Sequence, residues 1–204
     1  MTRIRAVPPR RFGVTLVVAL ALLILASIVP APAMTILPLD LAQLAGGAGR
    51  IFVGHVERVD TGHDVSGLPA VWTTFAVDEA LKGPAGEHVT LKQLGTSFGG
   101  NDARVVPHAG MPRFQAGESV VLFVHPESAL GFTSPVGLGQ GCFRILDRDG
   151  RRVVENDVGN RNLAVEAGAA RTLGGTGQAV APTVTALPLE TLLGRVRALV
   201  DATP

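Results

Sequence analysis

Hydrophobic positions fall into three regimes along this chain. Residues 14–29, VTLVVALALLILASIV, are apolar without interruption. From about residue 50 to 156, apolar residues come in short runs bounded by glycine, proline and aspartate. At the far end, PLETLLGRVRALVDA (188–202) repeats them at helical spacing, with Leu189, Leu192, Leu193, Val196, Leu199 and Val200 on one stripe. There Pro188 suits the first helical position, Glu190 the positive end and Arg197 the negative end.

The middle regime predicts strands. IFVGHVERV (51–59) is rich in β-branched residues, and Gly54 within it marks a bulge or a close backbone approach. VWTTFAVDEAL (71–81) alternates, with Val71, Phe75 and Val77 on one face. HVTLKQL (88–94) is a third strand. VVLFVH (120–125) is short and wholly apolar, which predicts a buried strand reached through the turn FQAGES (114–119). GFTSPVGL (131–138), GCFRILD (141–147) and RRVVEN (151–156) are further candidates, the last two joined by the hairpin signal Asp149-Gly150. LDLAQLA (39–45), ended by Gly46-Gly47, predicts a short helix. Residues 157–187 show no period and are expected to be linker. About six short strands with glycine turns predict a mostly β fold: a small antiparallel OB-like barrel over 34–156, with a short N-terminal helix and the C-terminal amphipathic helix packed on it.

The first regime changes the meaning of the composition. Arg3, Arg5, Arg10 and Arg11 precede the apolar run and Ala31-Pro32-Ala33 follows it, the layout of a cleaved secretory signal. Cleavage after residue 33 is expected to leave 171 residues, with 14 Lys+Arg against 17 Asp+Glu. The formal +1 of the whole chain thus becomes −3, and a weakly acidic exported domain is a poor partner for nucleic acid. The alternative is an uncleaved anchor, 16 residues against the roughly 20 that span a bilayer comfortably, which would make this a membrane-tethered envelope protein. Export leads to the periplasm or the medium. A single cysteine, Cys142, allows no intrachain disulfide, and between Gly141 and Phe143 it reads as a buried apolar residue.

Candidate chemistry centres on residues 95–113, a long loop with glycine at 95, 99, 100 and 110 and proline at 107 and 112. Gly95-Thr96-Ser97-Phe98-Gly99 matches the G-x-S-x-G pattern of a nucleophile elbow, and Asp102 with His108 or His125 would complete a triad. An elbow requires a following helix, and Asn101 to Phe114 has no helical stripe, so the match reads as chance. His55, Glu57, His63, His108 and His125 lack the spacing of a strong metal motif, and no phosphate loop is present. Neither a metal nor another cofactor is expected. The same loop offers recognition groups instead: Phe98, the amides of Gly99 and Gly100, Asp102, Arg104 and Arg113.

Three stretches, AGRIFVGHVERVD, TTFAVDEALKGPAGEHVTLKQLG and FQAGESVVLFV, together resemble the netrin-like, tissue-inhibitor-of-metalloproteinases-like domains, above all their cysteine-poor exported bacterial forms. Val53-Gly54-His55-Val56, the segment Val77 to Gly83, and Phe114 to Glu118 carry the likeness, over about residues 39–156. It implies a five-stranded OB-type barrel and an exported binding module, in some members a partner of secreted proteases. The inhibitors of that group chelate zinc through an N-terminal cysteine. Here the expected mature start is Met34-Thr35-Ile36, and no cysteine precedes Cys142, so that route to inhibition is not implied. A bacterial source follows from the resemblance and from 16 arginines against 2 lysines.

Overall fold

The computed structural model describes residues 37–99, 104–163 and 186–202. Asp40 opens α1 (Leu41–Gly47) with a capping box: its carboxylate accepts from the Gln43 amide, while the Gln43 side chain accepts from the Asp40 amide. Eight antiparallel strands follow: β1 (Arg50–His63), β2 (Pro69–Lys82), β3 (His88–Phe98), β4 (Arg104–Pro107), β5 (Ser119–Val124), β6 (Cys142–Arg148), β7 (Arg151–Asn156) and β8 (Leu187–Pro188). Their order in the sheet is β4-β3-β2-β1-β5-β6-β7-β8, and α2 (Leu189–Asp201) closes the described chain.

The long apolar strands have two faces to bury. On the inner face Phe52, Phe75, Leu91, Val120, Leu122 and Cys142 form one core, with Phe75 edge-on to both Phe52 and Phe114. On the outer face Ile51, Val53, Phe123, Phe143 and Val154 pack under α1 and under Leu189, Leu192, Leu193 and Val196 of α2. β1 and β5 are thus covered on both sides, which is why 51–53 and 120–124 read as unbroken apolar runs. Truncating a fully buried residue of this core, such as Leu192, costs about 2–5 kcal/mol.

The sheet curls into a partly open barrel. Across the opening the closing bonds come from loops. Thr133 donates its amide to Lys92 O of β3, Gln93 Nε2 reaches Pro112 O, and Arg144 of β6 donates to Arg113 O. Gly54 is the expected close approach: a Cβ there would lie 2.4 Å from Ala76 O, and the β1–β2 register shifts beside it. The Asp149-Gly150 turn has φ of 54° and 74°, as a two-residue hairpin requires.

Several expectations change. Among the described residues there are eight strands rather than about six. Residues 95–98 extend β3 and pair with β4 inside the predicted loop. Residues 131–138 form no strand and contribute one bridge, Val124 to Pro135; left-handed turns at Gly131, Gly137 and Leu138 break the extended run. The predicted linker begins as packed structure. Asn160 and Asn162 are buried there and each hydrogen-bonds the buried Asn156 at the end of β7, and Asn162 Nδ2 donates to Leu39 O. The rest of it, 164–185, and the expected signal segment, 1–33, lie outside the described residues. Pro188 caps α2 from an extended conformation instead of starting it, because as part of β8 it pairs with Val153 of β7. Arg197 turns away from the helix end to bond Glu79 of β2 at 2.7 Å. No helix among the described residues is long and apolar enough to cross a membrane.

Candidate functional site at the open end of the barrel

Side-chain parity along β3 sorts its end into two surfaces. Gln93, Gly95 and Ser97 have inward parity; Lys92, Leu94, Thr96 and Phe98 have outward parity. Gly95 allows β4 to close down, since a Cβ would meet Val105 Cγ1 at 2.5 Å. Phe98 stands opposite Arg104 across the β3–β4 ladder and is 60 % exposed. Gly99 turns out of the strand with φ of 98°. Gly100 and Asp102 lie outside the described residues. Of the expected contact residues, therefore, Phe98, Gly99 and Arg104 sit together. Arg113 arrives from the loop before β5.

Around the outward surface, besides the expected Phe98, the structure exposes apolar side chains that sequence reading passed over. Seven large hydrophobic residues are exposed among those described; of these Leu94 and Phe98 lie on β3, Val65 and Leu68 in the β1–β2 hairpin, and Leu130 in the loop whose carbonyl Lys92 holds. Scattered single exposures are ordinary, but a cluster marks a contact surface. Lys92 ties the elements together. Its ammonium bonds Asp64 Oδ2 at 2.9 Å and Leu130 O at 2.8 Å, and it lies 4.1 Å from the centre of the Phe132 ring. Asp64 Oδ1 in turn accepts from the amides of Ser66 and Leu68, fixing the β1–β2 hairpin. The bond from Lys92 holds the Asp64 carboxyl below the ordinary carboxylate value, with the two amide bonds acting in the same direction against a smaller desolvation effect. The one sequence signal was Leu94, an apolar residue at an outward position of an alternating strand.

The inward surface opens on a cavity of about 320 Å³. Val59, Val71, Val105 and Phe114 are among its walls. Arg104 and Arg113, both exposed, stand at its rim, and none of its described lining residues is acidic. Thr73 and Gln93 lie at its floor, each 0 % exposed. Neither Thr73 Oγ1 nor Gln93 Oε1 has a hydrogen-bond partner among the described residues. Gln93 is held through its nitrogen alone, by a long 3.4 Å bond to Pro112 O.

Ser97 does not occupy an elbow. It lies in a regular ladder opposite Val105, with no sharp turn into a helix, so G-x-S-x-G is a chance match. Its hydroxyl does meet an imidazole, at 3.2 Å, but that of His63 at the end of β1. His108 bonds Thr96 instead, and His125 lies at a different part of the fold, near Gly47. Among the described residues no carboxylate orients His63, and no three of His, Cys, Asp and Glu converge as metal ligands. His55 and Glu57 each take a separate partner, Asp78 and His88. Cys142 is buried, and desolvation pushes its thiol up to about 12, so it remains protonated and inert in the folded chain.

No family model matches the chain, and no curated protein and no solved structure is similar to it. The case for the site rests on its own geometry.

Proposed function

We propose that this chain is an exported, non-catalytic binding module that recognises a protein partner with the outward surface at the open end of its barrel. The observation that carries the reading is exposed Phe98 opposite Arg104, with exposed Leu94 on the same strand and exposed Val65, Leu68 and Leu130 on the two elements that Lys92 ties to that strand. Aromatic and arginine side chains in an apolar surround are the usual anchors of protein interfaces. Lys92 and Asp64 pre-arrange the hairpin and the 128–132 loop, which lowers the ordering cost of association. The netrin-like resemblance supports the same reading and makes a secreted protease the partner class to test first. No nucleic acid is involved, since the exported domain is weakly acidic.

Residues 34–204, used as bait in the exported fraction of the source organism, are expected to retain a secreted protease. The purified pair is then titrated directly. Phe98→Ala with Arg104→Ala is expected to weaken binding by about 100-fold, the scale of one interface anchor. Binding unchanged by the pair of substitutions removes this surface from recognition. Intact mass of the exported protein tests the export route: loss of residues 1–33 supports a free module, and their retention makes it a tethered one.

A further inference from the structure

We infer that the cavity at the barrel mouth is a second site, for a small organic anion that carries a hydrogen-bond donor at the end away from its charge. A hydroxy-carboxylate with a hydrocarbon body is the simplest such molecule. The inference goes beyond the protein-binding reading, because it uses the inward surface of the same strands and shares with the outward one only Arg104 at the rim.

Three features of the cavity each select one part of the ligand. Arg104 and Arg113 at the rim, with no acid among the described lining residues, select a negative group, and guanidinium forks match carboxylate geometry. Walls of valine and phenylalanine select a hydrocarbon body, and a cavity of about 320 Å³ admits a single ring or a short chain. The floor selects a donor. Gln93 Oε1 accepts only, and Thr73 Oγ1 can accept or donate; both are buried without a partner among the described residues. Polar atoms left in that state cost stability, and apolar residues of similar size would fill a barrel interior at no such cost. Both atoms are fully covered, so a ligand reaches them by swinging the Gln93 amide. Among the described residues the one hydrogen bond that this turn has to break is the long one to Pro112 O.

The test is calorimetric titration of the purified protein with 4-hydroxyphenylacetate and 6-hydroxyhexanoate. Each is paired with analogues lacking one end: phenylacetate and hexanoate without the hydroxyl, and tyrosol and 1,6-hexanediol without the carboxylate. At least one hydroxy-carboxylate is expected to bind about tenfold more tightly than both of its analogues, the loss expected for one hydrogen bond or one charge contact. Thr73→Val and Gln93→Leu are expected to erase the advantage of the hydroxyl and keep that of the carboxylate. Arg104→Ala with Arg113→Ala is expected to do the reverse. Failure of both hydroxy-carboxylates to bind at low-millimolar concentration overturns the inference. So does binding that these substitutions leave unchanged. Arg104 borders both surfaces, so its variant does not separate them; Thr73, Gln93 and Arg113 are away from Phe98 on the outward surface, and their variants make loss of the small ligand readable apart from loss of the protein partner.

Discussion

Replacing Thr73 with valine should make this protein more stable. Thr73 lies in the middle of β2, with Val59 of β1 on one side and Leu91 of β3 on the other. It is fully buried, and its hydroxyl has no partner among the described residues. A buried hydroxyl in that condition costs about 1–3 kcal/mol on protein scales. Valine puts a methyl where the hydroxyl was, keeps the branched shape and suits an inward strand position. Recovering the lower part of that range gives an expected gain of about 1 kcal/mol. For a domain of this size that is a rise in Tm of about 2–4 °C. Thr133 provides the control, because its hydroxyl donates to His125 O at 2.7 Å. The same substitution there should lower stability by about 1 kcal/mol, since it strands a carbonyl. Urea unfolding followed by the fluorescence of the single tryptophan, Trp72, reports both, with opposite displacements of the midpoint at constant slope. If Thr73→Val lowers the midpoint as Thr133→Val does, the Thr73 hydroxyl is already satisfied, and the reasoning about the cavity floor fails with it.

Gly54→Ala is expected to destabilise by about 3 kcal/mol in the same assay, because the added Cβ would stand 2.4 Å from a backbone oxygen of β2 that cannot move aside without breaking the ladder. Cys142 should resist a thiol reagent at pH 8 in the native protein and react fully in denaturant; rapid native labelling would show that burial does not protect it. Asp64→Asn should lower the unfolding midpoint at neutral pH. The folded-state value of Asp64 is depressed, so its contribution is complete above the ordinary carboxylate value of 3.8 and is lost as pH falls below it. The gap between parent and variant should therefore narrow as the pH falls through that value. A gap that persists in acid would place the effect in the hairpin turn and not in the ion pair with Lys92.

The strands that could be read from sequence were those whose burial leaves a local trace. β2 alternates because one of its faces is less buried, and β1 and β5 are continuously apolar because helices cover one side and the barrel interior the other. Gly54 and the Asp149-Gly150 turn carried their own backbone requirement. β4 and β8, with four and two residues, are too short for any period to show. They exist because neighbouring strands had unpaired edges to offer. Pro188 and Arg197 were assigned from helix-end rules. Tertiary partners, Val153 and Glu79, decided their places instead.

The sequence by itself determined the mostly β architecture, the two flanking helices and the attention to Phe98, Arg104 and Arg113, because hydrophobic period and turn chemistry act between near neighbours in the chain. Only the tertiary structure decided what those residues stand beside. Sequence reading did not single out Thr73 or Gln93, because whether a polar side chain finds a partner depends on every element that curls over it. Val65, Leu68, Leu94, Phe98 and Leu130 are separated by as many as 65 positions, and the Lys92 bonds tie their elements together. His63 meets Ser97 for the same reason: register across three strands, which no local pattern encodes, sets the distance between them.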